Sequence, residues 1–253
     1  MVSRLILVLG DQLGEGLAAL KAADKASDVV VMAEVMEEGT YVPHHPKKIV
    51  LILAAMRKFA ARLRDEGWTV AYAELDDTDN AQSIPGELTR PGEWRLIAAR
   101  EDCPLTVTLL EDDRFIASHA RFETWAEGRK ALRMEYFYRE MRRETGLLME
   151  GGDPAGGKWN YDHDNRKPAP GEVNFSGPMQ FTPDALVEDV IALVERRFDS
   201  HFGVVRPFWF ATDQEQARRA LAHFVKYGLA KFGDYQDAML AEHQFLYHAL
   251  VSP

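Results

Sequence analysis

Four runs of mainly apolar residues lie in the first half of the chain, and none of them alternates strictly with polar residues. Continuous apolar runs are typical of strands that are covered on both faces, as in a parallel sheet flanked by helices. The pattern therefore predicts four buried strands before about residue 115. The predicted strands are 5–9, 29–33, 69–73 and 105–109.

A helical period separates the second run from the third. In the segment 47–67, apolar residues recur every three or four positions, and Gly67 stands where helices commonly end. A strand, a helix and a strand joined by short connections form a βαβ unit, which requires parallel strands. The pattern predicts an α/β fold with a doubly wound, Rossmann-like parallel sheet.

After residue 117 the chain is rich in helix formers, and a mainly helical segment is predicted to follow the sheet. Segment 118–149 predicts a long helix that begins after an N-cap at Ser118 and ends near Gly146. The next stretch is dense in Gly, Pro, Asn and Asp, which predicts a connector. We therefore expect an α/β domain (1–117), a long helix with its connector (118–180) and a helical segment (181–253).

Two further helices are predicted in the last segment. The first begins at Thr182-Pro183-Asp184, with Pro at the first helical position, and the second runs from Thr212 to about Phe232. Beyond them the chain ends in an apolar and aromatic stretch, 245–251, that needs a covering surface. Self-association through this stretch is one expectation.

Composition restricts the class of protein. The chain has 253 residues and a net charge of −10, which disfavours bulk attraction to nucleic acid. It contains no run of 18 apolar residues and no basic, cleavable leader, so we expect a cytoplasmic protein without a membrane partner. One cysteine, Cys103, excludes an intramolecular disulfide and a four-cysteine cluster made by this chain alone.

The candidate ligand site follows the first two strands, because open parallel sheets bind ligands at the carboxyl ends of their strands. The first strand ends in Gly10-Asp11-Gln12-Leu13. Asp11 has two interpretations here, a cap for the next helix or a contact to a ligand. The glycine spacing matches neither a dinucleotide fingerprint nor a phosphate loop with its Lys-Ser or Lys-Thr.

A polar loop follows the second strand and would lie beside the first turn if the two strands pair. Its carboxylates, phenol and ammonium suit a polyhydroxylated chain attached to a heteroaromatic ring. A solvated acidic loop is the alternative, and spacing alone leaves both open. The residues of this loop are Glu34, Glu37, Glu38, Tyr41 and Lys48.

Other polar groups predict neither a metal ligand nor a catalytic residue. His44 and His45 are adjacent, so in regular structure their side chains diverge. The run 162–164, Asp-His-Asp, lacks further ligand spacing, and no Ser-His-Asp pattern is present. The arginines of 118–149 alternate with glutamates, which is typical of a solvated helix with salt bridges.

Several stretches in this order resemble the N-terminal half of the iron–sulfur bacterial cryptochrome and photolyase family, the prokaryotic (6-4) photolyases. The resemblance covers nearly the whole chain, and the motif in the predicted long helix is the most specific. The stretches are LVLGDQL, EVMEEGTYVPHHPKKIVLILAAMRKFA, DDTDN, PGEWR, DDRF, WAEGRKALRMEYFYREMRRETGLLM, GGKWNYDHDNRKP and FGDYQDAM.

The resemblance implies an antenna chromophore, 6,7-dimethyl-8-ribityllumazine, bound at the carboxyl ends of the strands. It also implies that a helical domain of full-length relatives binds FAD and a four-iron four-sulfur cluster and acts on (6-4) lesions in damaged DNA. On matching positions, the chromophore-binding residues are Gly10, Asp11, Gln12, Leu13, Glu34, Glu38, Tyr41 and Lys48.

The sequence departs from the family in two places. It ends where the helical domain of the family begins, so the flavin pocket, the lesion-binding surface and the cluster cysteines would lie beyond Pro253. In addition, only a polar loop is predicted before Pro91, where the family has the end of a helix and a strand. Either the segment 94–99 replaces that strand, or the sheet closes up, or this copy is degenerate.

The leading hypothesis is therefore the antenna-binding half of a (6-4) photolyase or blue-light receptor, without autonomous repair. The sequence leaves open whether the chain is itself an enzyme. Damaged DNA is an expected partner only where a C-terminal domain is present. The alternatives are a non-enzymatic α/β interaction module and a small-nucleotide-binding α/β enzyme.

Overall fold

Two compact units make up the chain. The computed structural model describes residues 4–78, 80, 87–89, 108–169, 171–172, 174–175, 177–242 and 246–247. The first unit comprises Met1–Arg114 and Gln180–Ala217, and the second comprises Phe115–Met179 and Arg218–Pro253. The functional division of the chain at residues 117 and 180 stays a prediction.

A parallel sheet forms the centre of the first unit, and in the described residues it has five strands in the order β3-β2-β1-β4-β5. Two strands are added on one side of β1 and two on the other, and every pairing is parallel. This doubly wound order confirms the predicted α/β fold. The strands are β1 (Leu5–Leu7), β2 (Val29–Ala33), β3 (Thr69–Ala73), β4 (Glu87–Thr89) and β5 (Leu109–Leu110).

Strand β4 corrects the expectation of a polar loop before Pro91. Its backbone pairs with β1 on one side and β5 on the other, which closes the sheet between them. Backbone hydrogen bonds to two neighbours create this strand, and a polar sequence gives no apolar signal for it. The segment 94–99, the predicted strand residues 105–107 and Cys103 lie outside the described residues.

The longest helix follows β2, as predicted, and it begins one residue earlier than expected because Pro46 takes the first helical position. His45 caps this helix by accepting a hydrogen bond from the Lys47 N–H at 3.1 Å. The helices are α1 (Ala18–Lys21), α2 (Met36–Thr40), α3 (Pro46–Asp65), α4 (His119–Ala126), α5 (Met134–Thr145), α6 (Ala185–Arg197), α7 (Gln214–Tyr227) and α8 (Leu229–Tyr235).

The core of the first unit lies between the sheet and helices α3 and α6, which pack on each other. Helix α6 follows the connector in sequence and yet belongs to this unit. Asp184 is its N-cap and accepts from the Val187 N–H at 3.1 Å, so Pro183 lies before the cap and not at the first helical position. The fully buried residues of α6 are Val187, Val190, Ile191 and Val194.

In the second unit, the predicted long helix is two helices, α4 and α5. Gly128 lies between them with φ +70°, a left-handed conformation that interrupts a right-handed helix. The predicted ends are confirmed, since Ser118 accepts from the Arg121 N–H at 3.1 Å and Gly146 has φ +72°. The helix predicted from Thr212 to about Phe232 is likewise two helices, α7 and α8, which are separated at Gly228; its φ of −108° is not left-handed.

A buried ion pair joins the beginning of β1 to the beginning of β2. The Arg4 Nε and Nη2 atoms donate to Asp28 Oδ2 at 3.1 and 2.6 Å, and the Asp24 N–H donates to the same oxygen at 2.8 Å. Asp28 is 1% exposed. The hydrogen bonds from Arg4, and next the one from Asp24, hold the pKa of Asp28 below its ordinary value.

The substitution Asp28→Asn is expected to reduce stability at neutral pH and to flatten its pH dependence. Because the folded pKa is lowered, the carboxylate stabilises the fold above its ordinary pKa of about 3.9, and this contribution is lost as the pH falls through the folded value. Urea unfolding at neutral and at acidic pH measures the effect. Asp65→Asn, at an exposed carboxyl group of the same unit, is the control, and equal pH slopes for both variants would contradict the prediction.

Candidate functional site

The order of the strands reverses beside β1, since the chain adds β2 and β3 on one side and β4 and β5 on the other. Open parallel sheets bind ligands outside the carboxyl ends of their strands at such a reversal. The predicted residues Gly10, Asp11, Gln12 and Leu13 follow β1 at this edge. The topology therefore gives the turn 10–13 the position in the sheet where ligand contacts are expected.

Gly10 lets the turn 10–13 approach helix α3 closely. A Cβ atom at this position would lie 2.9 Å from Ile52 Cγ2 and 3.1 Å from Met56 Sδ. Lys48 precedes Ile52 by one helical turn, so Lys48, Ile52 and Met56 form one row along α3. This row connects the two predicted segments of the site. The turn after β1 packs on it through Gly10, and Lys48, the last predicted residue after β2, belongs to it.

The turn is held from within by its own backbone and by the core. Gln12 is fully buried, its N–H donates to the Leu9 carbonyl at 2.9 Å, and its own carbonyl accepts from the Gly14 N–H at 2.9 Å. Leu13 packs on the core, whereas Asp11 is exposed. Of the two interpretations of Asp11, the helix cap is excluded, because α1 begins after Leu17.

The loop after β5 holds the same turn from outside. Arg114 Nη1 donates to the Asp11 carbonyl at 3.0 Å, while Arg114 Nε and Nη2 donate to the two carboxylate oxygens of Asp112 at 2.9 and 2.6 Å. Asp112 is 8% exposed, and the hydrogen bonds from Arg114 lower its pKa. Neither residue is a predicted site residue, although both belong to the stretch DDRF on which the resemblance rests.

Glu34 lies at the end of β2 with its carboxylate fully buried. Oε1 accepts from Arg57 Nε at 2.7 Å and from the Tyr72 hydroxyl at 2.8 Å. Oε2 accepts from Arg57 Nη2 at 3.0 Å and from the Leu75 N–H at 2.9 Å. Four donors of the protein therefore satisfy both oxygens.

The partners of Glu34 are held in the protonation states that this geometry requires. Burial, and next the charge of Glu34, raises the pKa of Tyr72 above its ordinary value, so the phenol keeps its proton and donates. The hydrogen bonds to Glu34 also raise the pKa of Arg57. The Glu34 side chain thus joins β2, β3 and α3 and does not present its oxygens to solvent.

The remaining predicted residues lie on the surface of α2 and of the loop before α3. Glu37 and Glu38 are exposed in the first turn of α2, and Tyr41 is 44% exposed just after it. His44 connects two members of the group. Its ring meets that of Tyr41 edge to face at 5.1 Å, and its Nδ1 lies 3.4 Å from Lys48 Nζ.

Other polar groups singled out from the sequence pair with charges of the opposite sign. Asp162 pairs with Arg166 at 3.6 Å, and Asp164 pairs with Lys158 at 3.1 Å. Arginines of α4 and α5 pair with glutamates, as Arg121 does with Glu140 at 3.0 Å. Within the described ranges, no group of three or more His, Cys, Asp or Glu side chains is arranged to hold a metal ion.

In the part of the chain that the structure describes, no helix is both long enough and apolar enough to cross a bilayer.

Comparison with known proteins identifies the family. The family model for deoxyribodipyrimidine photo-lyase-related protein matches residues 6–93 and 86–210, most of the chain. The chain belongs to this family. The two matches overlap at residues 86–93.

One relative is similar to nearly the whole chain, and a second is similar to about half of it. A (6-4) photolyase of Agrobacterium fabrum is 45% identical over 269 aligned residues, which cover 99% of this chain and 53% of the relative. The chain therefore spans about half the length of that photolyase. An uncharacterized protein of Acanthamoeba polyphaga mimivirus is 22% identical over 146 residues, 51% of this chain and 74% of that protein.

The substitution Glu34→Ala is expected to lower the free energy of unfolding by about 3 kcal/mol, because it leaves the Arg57 charge and the Tyr72 hydroxyl without their buried acceptor. Chemical denaturation followed by circular dichroism measures this change. Glu37→Ala, at an exposed carboxylate of α2, is the matched control and should stay within about 0.5 kcal/mol of the parent. Equal stability of the two variants would show that the buried carboxylate does not organise the strand ends.

Proposed function

We propose that the first unit binds 6,7-dimethyl-8-ribityllumazine as an antenna chromophore, in a protein of the light-driven (6-4) DNA photolyase or blue-light receptor type. One observation carries this proposal. The turn 10–13 and the loop that ends at Lys48 meet the same row of helix α3, beside the strand where the order of the sheet reverses. Membership of the photolyase-related family and the similarity to a (6-4) photolyase support it.

The chemical character of the surface residues fits this ligand. A lumazine has a flat heteroaromatic ring with carbonyl and nitrogen acceptors, and its ribityl chain carries hydroxyl groups. The Lys48 ammonium donates to such acceptors, and the carboxylates of Asp11 and Glu38 accept from hydroxyls. Gly10 lets the turn that carries Asp11 pack closely on α3, and Tyr41 offers an exposed aromatic surface.

The buried members of the predicted set have a different task in this proposal. Glu34 uses all its acceptor sites on Arg57, Tyr72 and Leu75, so we assign it to holding the ends of β2 and β3. Gln12 is likewise buried within the turn. The exposed residues then contact the chromophore, while the buried ones keep these contacts in place.

The chromophore, when bound, absorbs light and supplies excitation energy to a flavin. The residues of this unit bind it, orient its ring and exclude water from one face. In this proposal, only a full-length protein binds FAD, the four-iron four-sulfur cluster and damaged DNA. The chain spans about half the length of the photolyase to which it is similar. No residue of this chain is assigned to the chemistry of repair.

Lumazine binding is the test. The purified chain should quench lumazine fluorescence saturably, and Lys48→Met should weaken the affinity by roughly tenfold, since it removes a charged hydrogen-bond donor. Lys47→Met is the matched control, because the adjacent residue points about 100° away around the helix. It should retain the affinity of the parent.

No quenching at tens of micromolar by a chain that circular dichroism shows to be folded would overturn the antenna role. ATP is titrated in parallel by thermal shift. Saturable stabilisation by ATP instead of lumazine would favour the alternative of a nucleotide-binding enzyme.

A further inference from the structure

We propose that the segment 198–203 positions the wall of the chromophore site, and that His201 is its principal positioning residue. The segment follows helix α6, more than 150 residues after the loop 41–48, and both belong to the first compact unit. The inference rests on the proposed function, which it deepens by adding residues outside the predicted site.

The first contact joins Phe198 to helix α2. Phe198 is 4% exposed, and its ring lies directly against Gly39. A Cβ atom on Gly39 would lie 2.5 Å from Phe198 Cε1 and 2.9 Å from Cζ. Helix α2 therefore sits on this ring at a separation that only glycine allows. The packing sets the position of the helix that carries Glu38 and leads into Tyr41.

The second contact is a hydrogen bond to the middle of the loop. His201 Nδ1 lies 2.8 Å from the carbonyl oxygen of His44, to which it donates. The ring of His44 in turn contacts Tyr41 and lies 3.4 Å from Lys48 Nζ. One hydrogen bond thus holds the residue that connects two of the proposed chromophore contacts.

The third contact reaches the beginning of helix α3. Phe202 meets the ring of His45 edge to face at 5.6 Å. Gly203 has φ +87°, and a Cβ atom there would lie 2.3 Å from His45 Nε2. The same His45 accepts from the Lys47 N–H and so caps α3. The segment 198–203 therefore packs around the histidine that starts the helix of Lys48.

The segment can position the loop because it is itself attached to the core. Helix α6 ends at Arg197, Phe198 is its C-cap, and its buried face packs on α3. Lys58 of α3 pairs with Asp184 at the start of α6 at 2.6 Å, and with Asp213 at 3.3 Å. Residues 41–45, which precede α3, form no helix or strand, so these outside contacts determine their conformation.

A loop that is already ordered loses less entropy on binding, so loosening it weakens affinity without unfolding the protein. In the full chain, we expect His201→Ala to weaken lumazine binding roughly fivefold, the effect of one neutral hydrogen bond. His201→Asn should restore most of the affinity, because its amide nitrogen is as many bonds from Cα as Nδ1. Asp199→Ala, at an exposed neighbour in the segment, is the control and should bind as the parent does.

Hydrogen exchange gives a readout that does not depend on the ligand. The amides of Tyr41 and Lys48 donate to the carbonyls of Glu37 and His45 at 2.9 Å, and they should exchange about fivefold faster in His201→Ala. The midpoint of thermal unfolding should shift little in the same variant. A purely structural role would lower that midpoint and would not be rescued selectively by asparagine.

The outcomes separate this inference from the proposed function. No quenching by the parent chain would overturn the lumazine proposal, and with it the ligand named here. Normal binding by the parent, together with unchanged affinity or unchanged exchange in His201→Ala, would overturn the positioning role alone. Weaker binding, faster exchange in 41–48 and rescue by asparagine would support it.

Discussion

The hydrogen bonds to the Glu34 carboxylate are the interaction on which the carboxyl edge of the sheet depends. This carboxylate lies fully buried at the end of β2 and accepts hydrogen bonds from α3, from β3 and from the backbone after β3. A buried charge is tolerated only where such partners surround it. Because Arg57 on α3 supplies two of these bonds, helix and strands are held in one arrangement. The residues that we propose as chromophore contacts are positioned relative to that arrangement.

Three separate parts of the sequence complete this edge. The turn after β1 lies against α3 through Gly10, and Arg114 from the loop after β5 holds its outer side. The segment 198–203 contacts the loop before α3 from a third direction. At Gly10 the contact depends on the lack of a side chain, and Arg114 and His201 each donate a hydrogen bond to a backbone carbonyl. Such contacts specify position more than they add stability.

Sequence patterns predicted the sheet and helix α3 well, because apolar periodicity reports burial directly. They failed for β4, whose pairing comes from backbone hydrogen bonds, and for the interruption between α4 and α5, where residues 127–133 are not helical and Gly128 is left-handed. In the candidate site, they predicted the segments around Gly10 and Lys48, which the structure connects through one row of α3. They gave no signal for Arg114 or His201, since both act on the backbone of residues distant in sequence.

The sequence by itself determined the fold class, the family and the two segments that follow β1 and β2, because each depends on local spacing or on an ordered set of motifs. Only the tertiary structure decided which residues of these segments are buried supports and which are exposed. Glu34 and Glu38 are both glutamates after the same strand, yet four donors surround the first while the second lies on the surface. That difference comes from neighbours contributed by distant parts of the chain, which local spacing does not encode.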